Sequence, residues 1–362
     1  MKILHIINSL ETGGAEKLLV DTLSLYAARG LKVDLLLLNG VRHPFLEELA
    51  QKNCCRIFSL GTSSLYHPKY IFKIIPFLRK YDLAHIHLFP ANYYAVLAKI
   101  FSGSKIKLIF TEHNSSNRRM ASPFFRKLDS YFYNIYSKVV AISDGVKMAL
   151  SAHIKDASKI VVIENGVNLA RVYKAPLSAD IKLLFPLVNT KLLLQVGGFR
   201  LEKDQDTTIR SLLHLPDTYH LLLVGDGARK KELSALVSRL SLHCRVHFLG
   251  KRTDVFSILK SVDCVVVSSH WEGFGLAAVE GMAAGKPVVA SNVTGVSDVL
   301  KGAGILFPLG DDKKLAAEII HLCEDKAHYD KIVEQCLSRA QQYDISTMVA
   351  KHISLYEELT RE

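Results

Sequence analysis

The chain of 362 residues is 49% hydrophobic and 22% charged, a composition that supplies two soluble domains of the common ~150-residue size with cores of their own. No stretch approaches the ~18 consecutive apolar residues of a membrane span, and no Cys-x-x-Cys pair offers a zinc framework. The formal net charge of +11 is laid unevenly: residues 1–180 hold 24 Lys and Arg against 13 Asp and Glu, the remainder 22 against 22, so the excess sits in the N-terminal half and suits an anionic surface.

In chain order, a strand is predicted at "KILHIIN", a Gly-rich loop at "SLETGGA" and a helix over "AEKLLVDTLSLYAARG", ended by Gly30. The opening apolar run is short and reads as a first strand rather than a signal start. Short strands follow at "KVDLLLLN", "CRIFSLG", "LAHIHLF", "KLIFTEH" and "KVVAIS", most separated by helical segments. Their continuous β-branched and Leu runs mark strands covered on both faces. A second series runs through "KLLLQVGGF", "YHLLLVGDG", "CRVHFLG", "DCVVVSS", "PVVAS" and "GILFPL".

Two such series predict two doubly wound, Rossmann-like α/β domains, residues 1–178 and 179–345, joined where Pro176 and Pro186 break the periodicity. A C-terminal helix, 346–362, is expected to pack back on the first domain. Parallel sheets bind ligands at the carboxyl ends of their strands, so the expected site is a central cleft that the two domains face. The six cysteines, Cys54, Cys55, Cys244, Cys264, Cys323 and Cys336, read as free thiols of a reducing cytoplasm.

Several loops carry chemistry. Gly13 and Gly14, between a strand and a helix, let the backbone approach an anion such as a diphosphate, though the same pair serves a tight turn. Arg200 and Lys203, at a helix start after "VGGF", could converge on one diphosphate or be ordinary surface charges. Asp204 and Asp206 read as acids complementing a helix dipole rather than metal ligands, and no metal site is predicted. Gly225 and Gly227 read as a turn. His113, in "FTEHNSS", stands at a strand end where it could touch a sugar or phosphate, though a lone histidine is more often structural. His85 and His87 read as core or as support behind the site. In "SSHWEGFGLAAVEGMAAGKPVVAS", Glu272 lies on a loop freed by Gly273 and Gly275, and Glu280 in the first turns of a helix from Leu276. A carboxylate there accepts paired hydrogen bonds from a cis-diol, and the helix-start amides meet phosphate.

That Glu272-to-Glu280 stretch resembles the Glu-seven-residues-Glu signature of family-4 retaining glycosyltransferases with the GT-B fold. The Gly-Gly-Ala-Glu loop, "TEHN", "AISDGVKMAL", "IENGVNL", "GGFRLEKDQDTTI", "LVGDG" and "FLGKRTDV" extend the resemblance over essentially the whole chain. It implies that Gly14 contacts donor diphosphate or acceptor, His113 sits by the donor sugar, and Arg200 and Lys203 clamp the diphosphate. It further implies that Glu272 and the backbone through Gly273, Phe274, Gly275 and Leu276 hold sugar and phosphates, while Glu280 binds ribose. Arg252, Thr253 and Val255 would line the base pocket through their backbone. Gly198 stands where many members carry an arginine, so Arg200 takes that role here.

The implied reaction moves a sugar from a nucleotide donor, UDP-linked by preference, to a hydroxyl with retention, needing neither metal nor cofactor. The basic half becomes the acceptor side. "YHPKYIFKIIPFLRKYD" and "NRRMASPFFRKLDSYFYNIYSK" mix basic and aromatic residues as interfacial helices do, or as amphipathic helices that turn their aromatics inward. With the charge asymmetry they favour peripheral attachment to an anionic membrane and a lipid-linked or polysaccharide acceptor. Two other classes stand beside this: a nucleotide-sugar epimerase on the same fold, and a basic nucleic-acid-binding protein, which lacks any nucleic-acid motif.

Overall fold

The structure, a computed structural model, describes residues 1–11, 13–114, 122–152, 154–185 and 189–361. The chain forms two compact units, Met1–Gly166 with Ile345–Glu362, and Val167–Asp344.

The first unit alternates β1 (Lys2–Ile7), α1 (Gly14–Ala28), β2 (Lys32–Leu37), α2 (Pro44–Lys52), β3 (Arg56–Ser59), α3 (Lys69–Leu78) and β4 (Leu83–His87). It continues with α4 (Ala91–Ser102), β5 (Lys107–Glu112), α5 (Pro123–Ile135), β6 (Lys138–Ala141), α6 (Asp144–Ser151) and β7 (Ile160–Val162). Its seven strands pair in parallel, in the order β3-β2-β1-β4-β5-β6-β7. The edge strand β7, within "KIVVIENG", was not among the predicted strands; at three residues it is too short for periodicity to single out.

The second unit holds α7 (Leu169–Lys174), α8 (Ala179–Leu184), β8 (Lys191–Val196), α9 (Gln205–Ser211), β9 (Tyr219–Val224), α10 (Lys230–Arg239) and β10 (Val246–Gly250). Then come α11 (Val255–Lys260), β11 (Cys264–Val267), α12 (Leu276–Ala283), β12 (Val288–Ser291), α13 (Val296–Val299), β13 (Ile305–Phe307), α14 (Asp312–Glu324) and α15 (Lys326–Ala340). Its six strands are also parallel, ordered β10-β9-β8-β11-β12-β13.

The last helix, α16 (Ile345–Arg361), returns to the first unit. Leu19, Val20, Leu23 and Tyr26 form one face of α1, and they share a core with Ile3 and Ile7 of β1 and with Met348, Val349 and Tyr356 of α16. The units meet at Gly166/Val167 rather than near residue 178. Val167 donates its N–H to Tyr343 O at 2.8 Å, Lys260 Nζ bonds the carbonyls of Tyr173 and Ala175, and Ser178 N bonds Ser261 Oγ. These bonds draw the Pro-containing connection into the second unit, which composition alone does not reveal.

Candidate functional site

In the second unit the strand order reverses between β8 and β11, the place where loops at the carboxyl ends diverge and leave a crevice. The loop after β8 and the loop after β11 are laced together there. His270 N donates to Glu202 O at 2.8 Å. Buried Ser268 gives its hydroxyl to the carbonyls of Lys203 and Asp204, and Gln195 Nε2 bonds Lys203 O at 2.8 Å. On this scaffold Lys203 Nζ meets Glu272 Oε1 at 2.5 Å, and Ser269 Oγ donates to the same oxygen at 2.7 Å. Two predicted site residues, 69 positions apart, are thus a charge-assisted pair.

Arg200 keeps an exposed guanidinium, 3.8 Å from Glu202. A Cβ built on Gly198 would lie 3.5 Å from Arg200 Nε, so the Arg200 side chain runs alongside the position from which a residue-198 side chain would start. Asp204 caps α9 through Thr207, its carboxyl pushed up by burial, and Asp206 is forked by Arg229 at 2.5 and 3.1 Å. Both acids are therefore engaged in structure. Gly225 and Gly227 have a packing role: a Cβ on either would come within 2.0 Å of Gly197 O or 2.5 Å of Phe199 O, so the turn presses on the Gly197–Gly198 loop.

Gly275, at φ +97°, caps α12 in a conformation only glycine adopts freely, and Leu276 opens the helix. Glu280 is half-buried in the second turn of α12. Phe274 is 2% exposed with its ring against Tyr343, so its side chain belongs to the core and only its backbone is left for a ligand. Gly273 is half-buried beside it. Arg252 is held by Asp254 at 2.7 and 2.6 Å and by Asp180 at 2.8 Å, and its guanidinium keeps the Asp180 carboxyl down at about 2. That leaves the backbone of Arg252, Thr253 and Val255, the last opening α11, as the part open to recognition.

One residue missed from the sequence is Gly295. At φ +92° it packs so closely that an added Cβ would stand 2.6 Å from Glu272 O. Gly295→Ala is expected to displace the Glu272 loop and cut activity at least ~10-fold while costing the fold about 1–3 kcal/mol. Activity and a urea midpoint both unchanged would contradict this. The only signal in the sequence was a glycine after "NVT".

In the first unit the order reverses between β1 and β4. Gly13 caps α1 and Gly14 is its first residue; Glu16 folds back so closely that a Cβ on Gly13 would meet its carboxylate at 2.2 Å. His113 follows β5. Its Nε2 is buried without a hydrogen-bond partner among the described residues, and burial pushes its pKa down to about 4. The preceding Glu112 is buried and bonded by Tyr133 OH at 2.9 Å. His85 and His87 are buried, as expected, but they stand with His5 and His352 in a cluster that sequence reading did not foresee. Register explains part of it: His5 and His85 are paired positions on adjacent strands, and His87 is two residues on.

Two doubly wound parallel sheets, with Gly-rich loops gathered where each strand order reverses, make this the GT-B fold. Residues 12–171 match the family described as Glycosyltransferase Family 4 and residues 184–339 that described as Glycosyl transferases group 1, and the chain belongs to these glycosyltransferases. The N-acetyl-alpha-D-glucosaminyl L-malate synthase of Bacillus anthracis is 26% identical over 78% of this chain and 76% of its own. The Campylobacter jejuni N-acetylgalactosamine-N,N'-diacetylbacillosaminyl-diphospho-undecaprenol 4-alpha-N-acetylgalactosaminyltransferase is 25% identical over 93% and 94%. Among solved structures, Anabaena HepE in complex with UDP superposes with a TM-score of 0.85 at 25% identity, covering 99% of this chain and 100% of that one. The epimerase alternative finds no support in these similarities.

Proposed function

We propose that this glycosyltransferase moves a sugar, with retention, from a UDP-sugar to a hydroxyl of a lipid-linked or polysaccharide acceptor, without metal or cofactor. The observation that carries the reading is the Lys203–Glu272 pair beside the α12 N-terminus. When a donor enters, Lys203 turns to the diphosphate with Arg200, and the α12 amides add their dipole. Glu272 is released to bond the hydroxyls of the transferred sugar, Glu280 the ribose, and the backbone of Arg252 to Val255 the base. The bond from the anomeric carbon to the diphosphate breaks as the bond to the acceptor oxygen forms on the same face. The acceptor proton passes to a departing phosphate oxygen, so no carboxylate serves as nucleophile. His113, Gly13 and Gly14 are the first unit's candidates for sugar and acceptor recognition.

The Anabaena structure, a complex with UDP, supports the donor class, and the Campylobacter diphospho-undecaprenol N-acetylgalactosaminyltransferase supports a lipid-linked acceptor. A thermal-shift series over nucleotide sugars tests the donor, since a ligand present at 100 times its Kd stabilises the native state by ~2.7 kcal/mol. UDP-sugars raising the midpoint supports the reading; no shift with any nucleotide sugar sinks it.

No described helix is long and apolar enough to cross a membrane. Work at the inner face of the cell membrane, in the cytoplasm, is supported by a surface patch on α3 and α4. Phe72 and Phe101 are 64% and 62% exposed, and their rings stack at 6.1 Å with exposed Ile100 beside them. On α3 it is Tyr70, Ile71 and Ile74 that turn inward, while Phe72 faces solvent near Lys69, Arg79 and Lys80. On α5, Phe132 and Tyr133 are buried whereas Phe125, Arg126, Lys127 and Tyr131 are exposed; Arg118 and Arg119 lie outside the described residues. Co-sedimentation with anionic vesicles is expected to fall at least ~5-fold in Phe72→Ser/Phe101→Ser. Equal binding by the double variant would refute the patch.

A further inference from the structure

Beneath the carboxyl ends of β1, β4 and β5 is a cavity of about 20 Å³ lined by His5, His85, His87, His113 and His352. It has no metal-site character, although ring nitrogens of His5, His85 and His87 lie within 4.8 Å of one another. Both nitrogens of His85 are taken by hydroxyls, Tyr356 at 2.6 Å and Thr111 at 2.7 Å. His5 Nδ1 and His87 Nε2 stand 3.2 Å apart with their rings 13° from coplanar and centroids 5.5 Å apart, which is one end-to-end N–H···N bond rather than two lone pairs turned to a common ion.

The remaining bonds form a directed chain. With Tyr356 OH directed to Tyr26 OH at 3.5 Å, the tautomer consistent with these contacts has His85 Nδ1–H donate to Tyr356 and Thr111 donate to His85 Nε2. In the same arrangement Tyr26 OH donates to His352 Nδ1 at 2.9 Å, and His352 carries its proton on Nε2. Three buried nitrogens lack partners among the described residues: His5 Nε2, His113 Nε2 and His352 Nε2. All three residues line the cavity, which has room for a single water, and a buried water takes 2–4 partners.

We propose that an ordered water in this cavity accepts from His352 Nε2–H and donates to His113 Nε2 and His5 Nε2, making His352 and Tyr356 on α16 positioning residues for His113. Each nitrogen left unpaired is destabilising, and one water serves all three. The water's proton at His113 Nε2 places the imidazole proton on Nδ1, so His113 presents a neutral N–H donor to a sugar hydroxyl. The donation to His5 Nε2 likewise puts the His5 proton on Nδ1, where it bonds His87. The groups facing the cavity are neutral imidazoles and phenols from β1, β4, α1 and α16, with Arg29 as the nearby charge acting on Tyr26. Burial of these rings favours the same neutral form.

The kinetic part of the test rests on the reading of His113 as a transfer-site residue; the spectroscopic part does not. Imidazole nitrogen NMR, with His113 located by His113→Gln, is expected to show the Nδ1–H tautomer, neutral through pH 5.5. In His352→Phe the tautomer should become mixed and the His113 midpoint rise above about 4, because the neutral ring loses the water that donates to Nε2 while staying buried. His352→Gln, which keeps a donor, should restore it, and Tyr356→Phe serves if His352→Phe does not fold. For transfer, His352→Phe is expected to lower kcat at least ~10-fold and raise the acid limb of its pH profile, with donor KM unchanged. The same tautomer and titration in the wild type and a folded variant would overturn the relay. A wild type that transfers no sugar would instead count against the function proposed above, and the spectra would still decide the relay.

Discussion

Glu272→Ala and Lys203→Ala are each expected to lower kcat/KM for sugar transfer by about 10²-fold or more, about 2.7 kcal/mol of transition-state stabilisation, with the fold retained. The ground is the 2.5 Å ion pair that Lys203 and Glu272 make with each other, on loops pinned by Ser269, Ser268 and Gln195. In the proposed mechanism, removing Lys203 takes a positive charge from the departing diphosphate. Removing Glu272 takes the hydroxyl acceptor proposed for the sugar and leaves Lys203 without its resting partner. Because the two act on one another, the double variant should cost less than the sum of the single ones. Glu280→Ala should also lose transfer, mainly through a raised donor KM, since its carboxylate lies a helical turn farther along α12. Steady-state kinetics beside circular dichroism checks all three. A folded Glu272→Ala or Glu280→Ala with full activity would remove that residue from the site.

Acidification from pH 7.5 to 5.0 is expected to destabilise the protein by several kcal/mol. Burial holds His5 and His352 at about 3, far below the ordinary 6.5, and moves His85 and His87 in the same direction. The folded state therefore binds fewer protons than the unfolded chain between those values, and stability falls as pH falls through that window. At pH 5 each such histidine loses about 2 kcal/mol, so His5 and His352 together lose about 4 kcal/mol. Carboxylates such as Asp34, whose pKa is lowered, withdraw their contribution only at more acid pH and add nothing to the loss above 5. Urea midpoints across this range measure the effect. A flat profile would mean that the cluster is open to bulk solvent or already protonated.

The architecture was legible because parallel strands buried on both faces leave uninterrupted runs such as "LLLVG" and "CVVVSS", each followed by its own glycine turn. The donor-side loops were legible for the same reason: Gly275 and Leu276 sit at the start of α12 where the glycine spacing put them. What sequence could not give was proximity. Nothing in "EK" and "WEG" says that Lys203 and Glu272 touch; that follows from β8 and β11 being neighbours across the reversal of strand order. Gly295 escaped because its requirement comes from the backbone of Glu272, a segment remote in the chain. The histidine cluster escaped too, since His352 reaches His85 only through the return of α16 over the first sheet. The aromatic stretches were ambiguous for a physical reason. Helical spacing identifies a face, and only the packing of α3 on α4 decides that Tyr70 is buried while Phe72 is exposed.

The most direct test is to incubate the purified protein with UDP-sugars and a diphosphate-linked lipid acceptor bearing a sugar, in the presence of a metal chelator, and to read the new linkage by proton NMR. Release of UDP with an anomeric configuration matching the donor is the expected result. An inverted linkage, a dependence on added metal, or an epimerised donor with no transfer would contradict the account.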